Sequence, residues 1–230
     1  MTRHALVFDC GDTLLTLSPT REQICQEALA QLGVDVDLDR IARAYRMVDF
    51  RLVQRSSQLK TSAEKRRFHT QYNTLLAEAL GLDTRAAQLD VTLYDRFTAR
   101  RRWISFPGTA EALAALSPRF DLYVLANWDE RLLSLLEDNQ LAHLFKGIYS
   151  SAAIGAEKPD PAIFVRFIAA TGVIPAQTLY IGNEYRADVM GSRAAGFTPI
   201  LFDRTGHWAP HADCALVTDW SELSLKVAAP

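Results

Sequence analysis

Cysteine is scarce in this chain, and neither sign of charge dominates. The three cysteines, Cys10, Cys25 and Cys214, are odd in number and far apart. Their spacing suggests no disulfide framework and shows no metal-ligand motif. Against 27 acidic residues stand 25 basic ones, a net charge of -2. That removes the global electrostatic case for a nucleic-acid or membrane partner. No apolar stretch approaches the length that spans a bilayer. Asp9 interrupts the only N-terminal apolar run too early for a signal peptide. The five histidines show no ligand spacing, and internal repeats and low-complexity tracts are missing. These absences lead to the expectation of a cytoplasmic globular protein with no nucleic-acid and no membrane partner. Nothing in the sequence sets an oligomeric state.

What is present is apolar residue in quantity. Of 230 residues, 49% are hydrophobic, enough for one large core or a core with a small accessory domain. The first apolar run, Ala5-Leu6-Val7-Phe8, stops at Asp9 and is followed by Cys10-Gly11-Asp12-Thr13-Leu14. Such a run reads as a buried strand that delivers an acid to a sheet edge. In open α/β sheets the carboxyl ends of strands bind ligands. A carboxylate there serves as nucleophile, metal ligand or both. For Asp9 alone, a strand-ending turn residue fits as well.

From about 17 to 104 the pattern is helical, with no convincing strand. Ser18-Pro19 fits an N-cap with proline at the first helical position. Ile24, Ala28, Leu29 and Leu32 then share a face until Gly33, and Leu75, Leu76, Ala79 and Leu80 repeat the pattern until Gly81. From about 105 strands and helices alternate. Strands are expected at Leu122–Leu125, Ile148-Tyr149, Leu179–Ile181, Pro199–Phe202 and Ala215–Val217. Helices are expected through Leu132–Leu136, after Asp160-Pro161, and over Val189–Ala195. Repeated βα units imply an α/β fold, a parallel sheet flanked by helices. Residues 1–16 and 105–230 form its core, and 17–104 form an inserted helical domain.

Four segments then fall on one rim of the sheet: Asp9 with its loop; Ala126-Asn127-Trp128-Asp129; Lys158-Pro159-Asp160-Pro161; and Gly182-Asn183-Glu184 with Asp188. In this order, around a helical insertion, they resemble the haloacid-dehalogenase-like hydrolase superfamily with a helical cap and a Rossmann-like core. The resemblance spans the whole chain. The first motif, Asp-x-Asp-x-Thr, is matched in part by Asp9-Cys10-Gly11-Asp12-Thr13. The second, a Ser or Thr often followed by Asn, meets Ala126-Asn127, and the third, a lysine, meets Lys158. The fourth, an acidic pair after Ile-Gly, meets Ile181-Gly182-Asn183-Glu184 and Asp188, followed by Gly191-Ser192-Arg193-Ala194-Ala195-Gly196.

The resemblance implies a Mg²⁺-dependent phosphatase of small anionic metabolites, working through an aspartyl-phosphate. Asp9 is then the nucleophile. Asp9, the Gly11 carbonyl, Asn183 and Asp188 hold Mg²⁺. Lys158 offsets charge, and Asn127 and Lys158 contact the substrate phosphate. Three positions depart from the pattern. Gly11 stands where the family's phosphatases carry their acid/base aspartate, a loss of roughly two to four orders of magnitude in rate. Ala126 removes a hydroxyl, and Asn183 replaces a carboxylate, which predicts weak Mg²⁺ binding. Asp12 and Glu184 are the candidate compensating acids. Two alternatives stand beside this reading: a metal-independent haloacid dehalogenase, whose halide leaves without a proton, and a non-catalytic anion-binding module on the same fold.

The residues also have plainer readings. Lys158 in isolation is a surface lysine before a cap. Asp188 is a first-turn acid favoured by a helix dipole. Asn127 is a cap residue, and Cys10 is a small buried side chain.

Overall fold

Alternate residues of each central strand face opposite helical layers, and that period of two builds the core. The computed structural model describes residues 5–52, 62–98, 102–204, 206, 208 and 213–228. Its elements run β1 (Ala5–Phe8), β2 (Leu15–Ser18), α1 (Arg21–Gln31), α2 (Leu38–Leu52), α3 (Ser62–Ala79), α4 (Ala86–Thr98), β3 (Arg102–Ser105), α5 (Thr109–Leu116), β4 (Asp121–Ala126), α6 (Leu132–Asp138) and β5 (Gly147–Ser150). After these come α7 (Ser151–Ile154), α8 (Pro161–Thr171), β6 (Thr178–Gly182), a π-helical turn (Tyr185–Met190), α9 (Gly191–Ala194), β7 (Thr198–Phe202), β8 (Ala215–Val217) and α10 (Trp220–Ala228).

The main sheet has the order β5-β4-β1-β6-β7-β8, with every neighbouring pair parallel. Leu6 and Phe8 of β1, with Leu122, Val124 and Ala126 of β4, pack on one face with residues of α5, α6 and α10. Ala5, Val7, Tyr123 and Leu125 pack on the other with Ile163, Phe164 and Phe167 of α8. A sheet buried on both faces needs strands that are apolar throughout, and all four residues of β1 are buried.

The chain divides into two compact units. One takes the N-terminal residues through Thr16 and everything from Trp103 onward; the other is Leu17–Arg102. The second unit has its own apolar centre, with Ile24, Ala28 and Leu29 of α1, Ile41 and Val48 of α2, Leu76 of α3 and Leu89 of α4. Its buried Asp90 accepts hydrogen bonds from Arg66, Thr70 and Asn73, so the carboxylate is not stranded. Among the described residues no helix is long and apolar enough to cross a membrane.

Three local expectations are corrected. The N-cap of α1 is Thr20, not Ser18. The Thr20 hydroxyl accepts from the Gln23 amide, and the Gln23 side chain accepts from the Thr20 amide. That reciprocal box outcompetes a serine two residues earlier, which ends a strand instead. The helical zone is also bounded by two short strands that the sequence reading did not place, β2 and β3, paired with each other. Four residues each is too short for a clear alternation to show. Finally, the expected helix over 189–195 starts earlier, as the π turn at Tyr185.

Phe164 is fully buried against the rings of Tyr180 and Phe197 at 5.8 and 6.1 Å. Phe164→Ala should therefore cost about 3–5 kcal/mol, read as a lower urea midpoint with an unchanged slope. A loss below about 1 kcal/mol would mean that this side of the sheet repacks freely.

Candidate active site

Strand β1 continues its ladder one residue past its end. The Asp9 amide donates to the Ile181 carbonyl of β6 at 2.8 Å, which fixes the Asp9 backbone at the carboxyl edge of the sheet. The loop then turns tightly, with the amides of Leu14 and Leu15 both donating to the Cys10 carbonyl at 2.9 and 3.0 Å. Asp12 takes a left-handed backbone, φ 55°, which a short polar side chain tolerates. A cavity of about 210 Å³ opens at this edge. Asp9, Gly11, Asp12, Asn127, Lys158, Asn183, Glu184 and Asp188 all line it, together with Trp128 and Ala187. The structure thus brings every candidate site residue to one cavity.

Lys158 is the hub. Its Nζ donates to Asp9 Oδ1 at 2.7 Å, Asp188 Oδ1 at 2.7 Å and the Tyr180 hydroxyl at 2.8 Å. An ammonium has three protons, so all its donors are used. The Lys158 side chain is 2% exposed, which sets aside the surface-lysine reading. The Tyr180 hydroxyl in turn donates to the Leu125 carbonyl at 2.7 Å. Burial works against the lysine's charge, but Asp188 and Asp9 outweigh it and hold the ammonium well above its usual pKa. Asp188 moves the other way for a carboxylate. Burial pushes its pKa up, Lys158 opposes that, and the Asp9 charge adds to it. The two shifts are consistent. The ammonium gains both carboxylates, whereas Asp188 is buried, shares that one ammonium and has the like charge of Asp9 near it.

Close packing explains several residue choices. A Cβ on Gly182 would sit 2.3 Å from Asp188 Cγ, so only glycine lets that carboxylate lie against the end of β6. The π turn returns Asp188 over that glycine, where its Oδ2 accepts the Glu184 amide at 2.9 Å. Asn127 uses both ends of its amide on the main chain of Lys158. It donates to the Lys158 carbonyl at 2.9 Å and accepts its amide at 2.7 Å. Asp160 caps α8 through the Ala162 amide. The loop before α8 is therefore held from both sides, with Lys158 between. Asp12 turns its carboxylate toward the Thr16 hydroxyl, 3.2 Å away. Cys10 is fully buried, and burial first, then Asp9, push its thiol pKa up.

Sequence reasoning missed three residues. Tyr180 was hidden inside an apolar strand, where a phenol looks like one more core ring. Thr13 stands out in the sequence only as part of a motif, yet its hydroxyl lies 3.4 Å from Asp9 Oδ2 and 3.2 Å from Asn183 Oδ1. Trp103, distant in sequence, stands with Trp128 over Gly11, and no local pattern announced it. As for a metal, Asp9, Asn183 and Asp188 offer oxygen donors. No group of three or more His, Cys, Asp or Glu side chains gathers as a metal site among the described residues.

The family model described as haloacid dehalogenase-like hydrolase matches residues 4–196. The haloacid dehalogenase-like hydrolase domain-containing protein 3 of Bos taurus is 34% identical over 110 residues, 47% of this chain and 44% of that protein. A phosphoserine phosphatase of Thermus thermophilus is 34% identical over 136 residues, 58% of this chain and 53% of that protein. The chain thus spans about half the length of these relatives. In fold it resembles the putative HAD-hydrolase YfnB from Bacillus subtilis bound to magnesium, with a TM-score of 0.69 at 19% identity over 100% of each chain.

The Tyr180 hydroxyl can be tested by itself. Tyr180→Phe removes an acceptor from a buried ammonium and a donor from the Leu125 carbonyl. It should lower stability by about 1.5–3 kcal/mol, as for bonds to charged groups, in urea or thermal unfolding. A change within about 0.5 kcal/mol, the scatter of surface substitutions, would show that the phenol only fills space.

Proposed function

We propose that this chain, which belongs to the haloacid dehalogenase-like hydrolase family, is a phosphatase of a small phosphorylated metabolite. The route is a covalent aspartyl-phosphate on Asp9. The observation that carries the reading is Lys158, its ammonium 2.7 Å from both Asp9 and Asp188 on the wall of the cavity. A carboxylate attacking a phosphate meets like charge. A buried, fully bonded cation offsets that repulsion without reorganising. Phosphoryl transfer needs little else from a protein beyond position and electrostatics. Asp9 Oδ2, the oxygen not engaged by Lys158, is the attacking atom, and Thr13 orients it. The likeness to a phosphoserine phosphatase supports the same chemistry.

Two carboxylates share one ammonium, so with Asp188 ionised the cluster carries one negative charge in excess. Mg²⁺ fits such a site, because it takes one or two carboxylates and completes its shell with water and substrate phosphate. Asp9, the Gly11 carbonyl, Asn183 and Asp188 would hold it. When bound it would polarise a phosphoryl oxygen as a Lewis acid. With an amide at position 183 instead of an acid, the affinity is modest.

The bare Gly11 favours a second reading, hydrolysis of a carbon–halogen bond, since halide departs without a proton. Chelation separates the two. Turnover of p-nitrophenyl phosphate should require Mg²⁺, disappear in EDTA and fall by on the order of 10³-fold or more in Asp9→Asn. Turnover unchanged by that substitution would overturn the aspartyl-phosphate route. Halide release from a 2-haloacid in EDTA would establish the second reading instead.

A further inference from the structure

We propose that Arg204 is a positioning residue for the nucleophile: its guanidinium holds the Thr13 carbonyl and so sets the Thr13 hydroxyl against Asp9. The inference rests on the phosphatase reading and adds a residue to the machinery of that site. Arg204 Nη2 donates to the Thr13 carbonyl at 3.1 Å. The amide at the other end of the same peptide unit, that of Leu14, donates to the Cys10 carbonyl at 2.9 Å. The plane between residues 13 and 14 is therefore pinned at both ends. A peptide unit is rigid, so fixing its plane constrains the backbone torsion at the Thr13 Cα. Threonine is branched at Cβ and stiff at χ1, so that constraint carries through to the hydroxyl. The hydroxyl lies 3.4 Å from Asp9 Oδ2 and 3.2 Å from Asn183 Oδ1.

The guanidinium is set among aromatic rings. Its Cζ lies 3.8 Å from the centre of the Phe106 ring, 4.1 Å from that of Phe202 and 5.5 Å from that of Trp220. A planar, weakly hydrated guanidinium stacks on such rings and keeps its fork fixed. The main chain beside it is held as well. The Asp203 amide donates to the Val217 carbonyl of β8 at 2.8 Å, and Asp203 Oδ2 accepts the Trp208 amide at 2.7 Å. Burial pulls the Arg204 pKa down to about 10, against the charges of Asp219 and Asp12, and the side chain stays protonated at neutral pH. Stability alone does not account for an arginine here. Its Nε is buried with no hydrogen-bond partner, and an unpaired buried donor costs free energy. Well-packed apolar side chains often replace buried charge with no loss of stability. What an apolar side chain could not supply is the bond to Thr13.

The placement matters because the two oxygens of Asp9 have different tasks. Oδ1 accepts from Lys158 at 2.7 Å. Oδ2 is the attacking atom, and the Thr13 hydroxyl is its partner. Attack in line with a leaving group tolerates little error, and a misplacement of ~1 Å costs about 10²-fold in rate. Arg204 lies outside the set of residues that line the cavity. Its effect reaches the reaction through Thr13.

The test is a double-mutant cycle on the full chain, with p-nitrophenyl phosphate and Mg²⁺ for turnover and urea unfolding for stability. Arg204→Met keeps a long unbranched side chain and removes the donor. Thr13→Val keeps the shape and removes the hydroxyl. Arg204→Met should lower kcat and kcat/KM together by about 10- to 10²-fold, with KM unchanged. Its urea midpoint should equal or exceed that of the wild type, which separates positioning from support of the fold. Thr13→Val should lose at least as much activity. The double variant should be no slower than Thr13→Val alone, because Arg204 acts through that hydroxyl. A kcat in Arg204→Met within about twofold of the wild type, the scatter of non-interacting sites, overturns the inference and leaves the phosphatase reading standing. So does a rise in KM with kcat unchanged, or losses that multiply in the double variant. No phosphate turnover by the wild type overturns both. Should Arg204→Met fail to fold, Arg204→Lys, which keeps the charge and loses the planar fork, takes its place in the cycle.

Discussion

The ammonium of Lys158 is the interaction on which the rest of the site depends. It is buried, it touches two carboxylates and a phenol, and each of its protons is used. Such a cluster is costly to bury, since desolvation of three charges is offset only when geometry and hydrogen bonding are both good. Its neighbours supply that geometry. Asn127 clamps the lysine's main chain, Tyr180 ties the ammonium to the end of β4, and Gly182 leaves room for Asp188. Removing one partner would strand a buried charge, so the arrangement behaves as a unit and not as separable contacts.

The same site shows where apolar packing and polar chemistry compete for volume. A Cβ at position 11 would meet Trp128 Cζ3 at 3.1 Å and Trp103 Cη2 at 3.6 Å, so a side chain there crowds the indoles. The chain has the indoles. They extend the apolar cluster that contains Leu14, Leu113 and Ala126 up to the cavity, and Ala126 carries that same apolar choice to the last residue of β4. Trp128 and Ala187 are the apolar part of the cavity wall, and most of the remaining lining is charged or amide.

Much of this was legible in the sequence. Buried parallel strands are apolar along their whole length and end abruptly, so Asp9, Asn127 and Gly182 could be placed at strand ends from their flanks. The cap and proline before α8 located Lys158 in the same way. What stayed hidden has a common physical character: it depends on partners distant in the chain. Tyr180 cannot be told from a core aromatic until Lys158 is beside it. The role of Asn127 depends on a main-chain partner, which no residue pattern encodes. Trp103 and Trp128 meet only because the fold folds. Local errors came from competition at close range, as where Thr20 with Gln23 made a better cap than Ser18.

The position of β1 in the sheet has a consequence for how the molecule is made. First of the strands in sequence, it pairs with β4 and β6, so Ala5 waits for Asp121 on one side and Thr178 on the other. Loop-closure entropy must be met before those pairs form, and contacts so remote in sequence slow folding. Meanwhile an entirely apolar tetrapeptide emerges from the ribosome with its edges unpaired. The helical unit that follows it has its own apolar centre. The edge that carries Asp9 is therefore complete only when β4 and β6, from the second half of the sequence, have paired with β1.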